Sequence, residues 1–295
     1  MVPSQNSDLL TRAKHRSCPG STTVDATGDL ACYLYGIIGR RDLGEQNWDA
    51  PSGLAGGPVS LVPYEDLLAI VSLVSFADFA PETVESHLQD PVWLETAVRG
   101  HQRVLDLIHR EATVLPAKFG CLYSTVEQML AVLGHMHDAI VEQLKLLEGC
   151  DEWGVSVFAD RRSMERRAAR EALPMQQIQQ RLATVTPGRA YFLRRELART
   201  LADATDQTLA ELAQTIYQHL ARLVVVAQIT NRSPQSRART GETEIVRAAF
   251  LVRRSETEAF LQAFEHVIEG QEGLRGEYSG PWPPYNFART EGLAS

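Results

Sequence analysis

Histidine and cysteine side chains do most of the acid–base, nucleophilic and metal chemistry available near neutral pH. The search for a site therefore starts with the eight histidines and four cysteines of this 295-residue chain. His101 and His109 fall on one helical pattern about two turns apart, on roughly one side but too distant to share an ion. His135 and His137 are two positions apart and point to different faces. Spacing thus predicts no metal centre. Cys18, Cys32, Cys121 and Cys150 are dispersed with no C-x-x-C pair, which argues against a zinc site or a disulfide framework and suits a reducing cytosol. Cys121 follows Phe119 and Gly120 at a predicted strand end, and nearby Lys118 could lower its thiol pKa. No histidine and carboxylate partner is identifiable for it, and a small buried cysteine is the commoner fate. The phosphate-binding, dinucleotide-binding, zinc-protease and serine-hydrolase signatures are all missing. The expectation is a non-enzymatic chain with no catalytic residue, no cofactor and no metal.

Two features suit binding better than catalysis. Gly280 to Phe287 reads GPWPPYNF, in which Pro281, Pro283 and Pro284 impose extended geometry while Trp282, Tyr285 and Phe287 add apolar area. Such a segment either clamps across the chain's own core or offers aromatic rings to a partner. The second feature is charge. The net charge of -8 conceals a basic middle: residues 161–254 hold 17 Lys+Arg against 8 Asp+Glu, whereas residues 1–160 hold 10 against 22 and residues 255–295 hold 2 against 7. Lysine is confined to Lys14, Lys118 and Lys145, so the positive charge is almost wholly guanidinium, suited to bidentate contact with carboxylate or phosphate. Arg194 and Arg195, with Trp282, Pro283, Pro284, Tyr285 and Phe287, are the candidate partner-binding residues. A solvated arginine-rich face is the plainer alternative.

The elements that would carry these residues follow from hydrophobic period. Residues 1–30 are polar and read as a flexible tail, with no apolar segment of the kind a secretory signal needs. Ala31 to Ile38, Val59 to Val62 and Leu67 to Val74 read as strands. Asp90 and Pro91 open an amphipathic helix through Leu94, Val98, His101, Leu105 and Ile108. Thr113 to Gly120 reads as a strand, Ser124 and Glu127 as the capping box of a helix ending at Gly149, and Trp153 to Val157 as a further strand. Arginine-rich helices are expected over residues 161–222, interrupted at Thr186 to Gly188. Strands follow at Leu223 to Thr230 and Ile245 to Val252 around the loop Asn231 to Gly241. A helix capped by Ser255 and Glu258 runs to Gly270, and Leu274 to Tyr278 is a last strand. The fold class is α+β in two domains: residues 31–160, a helical bridge over 161–222, and 223–295 with the GPWPPYNF tail. No apolar run reaches the roughly 18 residues of a membrane helix, so no membrane partner is expected.

Six segments in order resemble the gas vesicle GvpL/GvpF family: YLYGII (Tyr33 to Ile38), His101 through VLPAKFG (Val114 to Gly120), EWGVSVFAD (Glu152 to Asp160), GRAYFLRR (Gly188 to Arg195), AAFLV (Ala248 to Val252) and GPWPPYNF. The resemblance covers about residues 31 to 287. It implies a ferredoxin-like N-terminal domain, a second α+β domain and a gas vesicle accessory or minor structural protein. That protein would take part in assembly by binding the small hydrophobic shell protein and other accessory proteins, and would be found at the gas vesicle or in the cytoplasm. A nucleic-acid-binding protein using residues 161–254 is the alternative. The acidic total and the lack of a stacking platform beyond Tyr191 and Phe192 weigh against it, so nucleic acid is not an expected partner.

Overall fold

A computed structural model describes residues 30–42, 51–79, 83, 87, 89–171, 187–230, 237–290 and 292–293. The expected tail up to Asp29, Cys18, residues 172–186 of the arginine-rich region and residues 231–236 of the long loop lie outside the described residues. The fold is mixed α and β, with two sheets. Contacts group the chain into two compact units, Met1–Glu152 with Pro281–Ser295, and Trp153–Gly280.

Unit 1 is organised by β1 (Leu30–Gly39), LACYLYGIIG, whose eight central-to-late residues Ala31 to Ile38 are all buried. A continuous apolar run instead of alternation means that both faces of the strand are covered. β2 (Ser60–Tyr64) and β3 (Leu67–Ser75) form a hairpin, and β1 lies antiparallel to β3 on one side and to β4 (Val114–Pro116) on the other. The sheet order is β2-β3-β1-β4, with the two-residue β5 (Leu122–Tyr123) also paired to β1. Tyr33 and Tyr35 join a core with Leu105 and Ile108 of α1 (Pro91–Glu111). Cys32, on the opposite face, directs its Sγ to Met129 of α2 (Val126–Leu147) at 3.8 Å.

The caps explain where these helices begin. The Asp90 carboxylate accepts the N–H groups of Val92 and Trp93, with Pro91 at the first helical position, as the sequence leads one to expect. For α2 the cap is one residue later than the expected Ser124–Glu127 box: Thr125 Oγ1 accepts from Gln128 N, and Gln128 Oε1 accepts from Ser124 N. The helix start is set by which hydroxyl reaches the free N–H groups, and Thr125 stands nearer. The expected strand Thr113 to Gly120 is shorter, because Pro116 has no N–H to continue the ladder.

Unit 2 contains most of β6 (Cys150–Asp160), then α3 (Arg161–Glu171), α4 (Pro187–Ala221), β7 (Val226–Ile229), β8 (Glu242–Arg253), α5 (Thr257–Glu269) and most of β9 (Leu274–Trp282). The sheet order is β7-β8-β6-β9, with β7 antiparallel to β8. Trp153, Val155 and Val157 alternate along β6 and pack with Phe250 of β8, Ile216 and Leu220 of α4, and Phe260 and Phe264 of α5. The helices expected to form a bridge pack inside this unit: Met164 of α3 meets Leu209 and Leu212 of α4 in a second cluster. The expected Ser255–Glu258 box is not the cap of α5. Residues Arg254–Glu256 form a 3-10 turn, and Glu256 occupies the cap position without a side-chain hydrogen bond. The last strand also runs four residues further than expected, to Trp282.

Gly36 sits at the register shift of β1, between Leu34 and its pairing with Ile70. A Cβ there would lie 2.9 Å from the Leu115 carbonyl oxygen and 3.0 Å from Leu105 Cδ2. Gly36→Ala is therefore expected to overpack the centre of unit 1 and to lower stability by about 1–3 kcal/mol, read from the urea midpoint. An unchanged midpoint would show that β4 yields freely at this contact.

Candidate functional site

The GPWPPYNF segment leaves β9 and folds onto unit 1. Pro283, Pro284 and Phe287 are buried, Trp282 and Tyr285 half-buried, and Tyr285 packs against the core beneath α1. Its prolines hold the chain in a tight turn, with Tyr285 N donating to the Pro283 carbonyl at 2.8 Å and Ala288 N to that of Pro284 at 3.0 Å. The turn aims Asn286 at the fully buried Glu152. Asn286 N donates to Oε2 at 2.7 Å and Asn286 Nδ2 to Oε1 at 2.6 Å, so both carboxylate oxygens are engaged by one residue. Burial pushes the Glu152 carboxyl from its usual 4.5 up to about 7, while the two Asn286 hydrogen bonds pull it down. Burial likewise raises the Tyr285 hydroxyl, with the carboxyls of Asp106 and Glu152 adding to the effect. Further on, the buried Leu293 offers its carbonyl oxygen to the Tyr123 hydroxyl and to Cys121 Sγ.

The residues singled out for chemistry take structural positions. Cys121 is buried, and burial raises its thiol to about 11, outweighing the pull of Lys118; the lowered thiol considered from sequence is thus corrected. His101 is buried with Tyr35 stacked on it and Phe119 at its edge. Tyr33 Oη accepts the Gly120 N–H at 3.1 Å and lies 2.9 Å from His101 Nδ1, within hydrogen-bond distance. Burial brings this imidazole down to about 3, so it stays neutral and ties β1, α1 and the turn after β4 together. His109 Nε2 is 2.8 Å from Asp151 Oδ1, well away from any shared ligand with His101. Asp66 Oδ1 lies 2.6 Å from His137 Nε2, a neighbour 71 positions distant that spacing on one helix could not reveal.

Part of the basic stretch is neutralised where it lies. Arg161 pairs with Glu165 and Asp206, Arg167 with Glu171, and Arg237 with Glu277. Arg275 of β9 pairs with Glu242 at 2.7 Å and lies over the Phe158 ring at 4.1 Å, and its guanidinium holds the Glu242 carboxyl down at about 2. Arg194 and Arg195 are among the arginines that lack such a partner. Both are exposed on α4 without an ion pair among the described residues, beside Tyr191 (62% exposed) and Phe192 (71% exposed). Isolated surface pairs contribute little to stability, so the distinction bears on what remains available for a partner.

Comparison with known proteins places these features in context. The family profile "Gas vesicle synthesis protein GvpL/GvpF" matches residues 31–289. Gas vesicle protein L of Streptomyces sp. (strain CB03234) is 28% identical over 238 residues, covering 80% of this chain and 85% of that protein. Gas vesicle protein F1 of Halobacterium salinarum is 27% identical over 259 residues, covering 86% and 91%. The crystal structure of the gas vesicle protein GvpF from Anabaena sp. PCC7120 superposes with a TM-score of 0.68 at 18% identity, covering 88% of this chain and 98% of that one. The GvpF structure from Microcystis aeruginosa gives 0.60 at 17%, covering 88% and 99%. At that identity the likeness concerns the fold.

Glu152 makes stability depend on pH in a definite direction. Its folded-state value lies above the unfolded one, so its contribution is complete below pH 4.5 and is lost as the pH rises through about 7. The shift corresponds to something on the order of 3 kcal/mol. Glu152→Gln should forfeit one acceptor for Asn286 but escape this loss, so its stability relative to wild type should improve by about 2–3 kcal/mol between about pH 5 and pH 8. A constant difference across that range would mean that Glu152 does not titrate as a buried group. Removal of residues 290–295 is expected to convert Cys121 from inert to reactive toward a thiol reagent in the native state. Continued inertness would show that the Leu293 plug does not protect it.

Proposed function

The chain belongs to the gas vesicle synthesis protein GvpL/GvpF family, which gives it a gas-vesicle-related role, and from that premise we propose that it takes part in vesicle assembly. It does so as a non-enzymatic accessory or minor structural protein that binds the small hydrophobic shell protein and other accessory proteins, at the vesicle and in the cytoplasm. The family match across residues 31–289 carries this reading. The physical need is plain. A very apolar subunit aggregates before it is incorporated, and a two-unit protein with an apolar contact and a charged rim shields it or orders its addition.

On this reading Tyr191 and Phe192 supply exposed aromatic area, and Arg194 and Arg195 supply cations that no carboxylate in the described chain has taken. Trp282 and Tyr285 keep a partial exposure that permits a secondary contact, while Pro283, Pro284 and Phe287 hold the segment that presents them. Unit 1 is read as ferredoxin-like, supported by its β2-β3-β1-β4 order and antiparallel pairing. Nucleic-acid binding through residues 161–254 has less support, because several of the arginines there already face carboxylates. Among the described residues no helix is long and apolar enough to cross a membrane.

Co-expression of the tagged chain with the shell protein provides the test. Soluble co-elution that persists at high salt is expected, and Arg194→Glu with Arg195→Glu should weaken it about tenfold. Trp282→Ala should weaken it less. No co-elution would overturn the shell protein as a partner, and unchanged co-elution of the charge-reversed protein would remove the arginine pair from the interface.

A further inference from the structure

A two-residue turn, Glu65–Asp66, closes the β2–β3 hairpin, since Tyr64 and Leu67 are register partners. The tip of this hairpin is seated on α2. Gly134 makes the close approach possible: a Cβ there would stand 2.4 Å from the Tyr64 hydroxyl oxygen. Three residues further along α2, His137 Nε2 lies 2.6 Å from Asp66 Oδ1 and 3.4 Å from Glu65 Oε2. One ligand atom from each of the three residues lies within 4.8 Å of the others. The second ring nitrogen is also engaged, because His137 Nδ1 is 3.2 Å from Asp138 Oδ1.

We propose that Glu65, Asp66 and His137 bind a first-row divalent cation such as zinc, and that Asp138 orients the imidazole for it. The argument is one of valence. With Nδ1–H directed to Asp138, Nε2 is the nitrogen that faces two carboxylates. A proton on Nε2 makes one short hydrogen bond, to Asp66, and leaves Glu65 without one from the ring. A divalent ion satisfies all three ligands at once. Metal–ligand bonds of about 2.0–2.2 Å place neighbouring ligand atoms of a tetrahedral site roughly 3.3 Å apart. Glu65 already meets that separation from Nε2, and Asp66 must move back by about 0.7 Å, which its exposed side chain permits. One imidazole with two carboxylates suits zinc, manganese, iron or cobalt better than the all-oxygen sites of magnesium and calcium or the thiolate-rich sites of copper(I). The carboxylate behind the ring is the outer-shell partner that metal-bound histidines commonly have. Three protein ligands leave a fourth position for water. The ion would clip the hairpin tip to α2 and so strengthen unit 1 by mass action.

The test uses the full-length, tag-free chain stripped with a chelator and titrated with zinc chloride in a calorimeter near neutral pH. One zinc per chain is expected, with a rise in the melting temperature. His137→Ala should lose at least about 100-fold in affinity and Asp138→Asn about tenfold. His135→Ala, which alters a neighbouring exposed histidine outside the trio, should bind as wild type does. Circular dichroism establishes that each variant is folded. Absence of stoichiometric uptake by the folded wild-type chain would overturn the proposal and leave His137 as an imidazolium between carboxylates. Equal affinity in folded His137→Ala would also overturn it, by locating the zinc elsewhere.

Discussion

A carboxylate buried where charge is costly, yet met by two hydrogen-bond donors that favour charge, is the constraint around which unit 1 is completed. Glu152 stands at the end of the first long stretch of that unit, and Asn286 belongs to the segment that returns to it more than a hundred residues later. The rigidity of Pro283 and Pro284 makes the contact possible, because their restricted backbone lowers the entropy lost when the turn is fixed. Once Asn286 is held, Tyr285 and Phe287 are delivered to apolar surroundings, and the chain continues to Leu293, whose carbonyl oxygen satisfies the Tyr123 hydroxyl and the Cys121 thiol. The contact thus links polar satisfaction to apolar burial, and the segment through Leu293 becomes part of the core.

Two kinds of arginine coexist in this chain, and their difference organises the account of function. Those at positions 161, 167, 237 and 275 meet carboxylates of unit 2, and Arg275 adds an aromatic face beneath it. They limit the repulsion that a concentrated positive stretch would impose on a compact fold. Arg194 and Arg195 stand beside two exposed rings instead. Aromatic area with cations next to it is the composition that interfaces favour at their centre. A bare excess of positive charge would have suggested nucleic acid, whereas the distribution of partners within the fold separates internal charge balance from available surface.

Much of the fold was legible in the sequence because period and punctuation were strong. The apolar run of β1, the Asp90–Pro91 start of α1 and the alternation of Trp153, Val155 and Val157 each have a local cause, and the α and β elements appear where those causes lie. Cap positions were less legible: Ser124, Thr125, Glu127 and Gln128 offer competing hydroxyl and carbonyl partners, and only geometry selects Thr125 with Gln128. The extended start of the terminal segment, through Trp282, followed from its prolines, but the turn that begins at Pro283 and the anchor it reaches did not. Nothing local marks Glu152 as the acceptor for Asn286, nor sets Asp66 against His137, since both pairings depend on where distant strands and helices meet. For Cys121 the neighbouring lysine was visible and burial was not, and burial is the larger influence on the thiol.

The most direct measurement is a carbon-13 NMR titration of the Glu152 side-chain carboxyl in the full-length chain, with the resonance assigned by its loss in Glu152→Gln. A buried carboxyl clasped by Asn286 should titrate near pH 7, and Asn286→Ala, by removing the side-chain donor to Oε1 while leaving the backbone N–H in place, should move the midpoint higher still. A midpoint near the ordinary 4.5, unmoved by the loss of Asn286, would contradict the clasp and return the terminal segment to solvent.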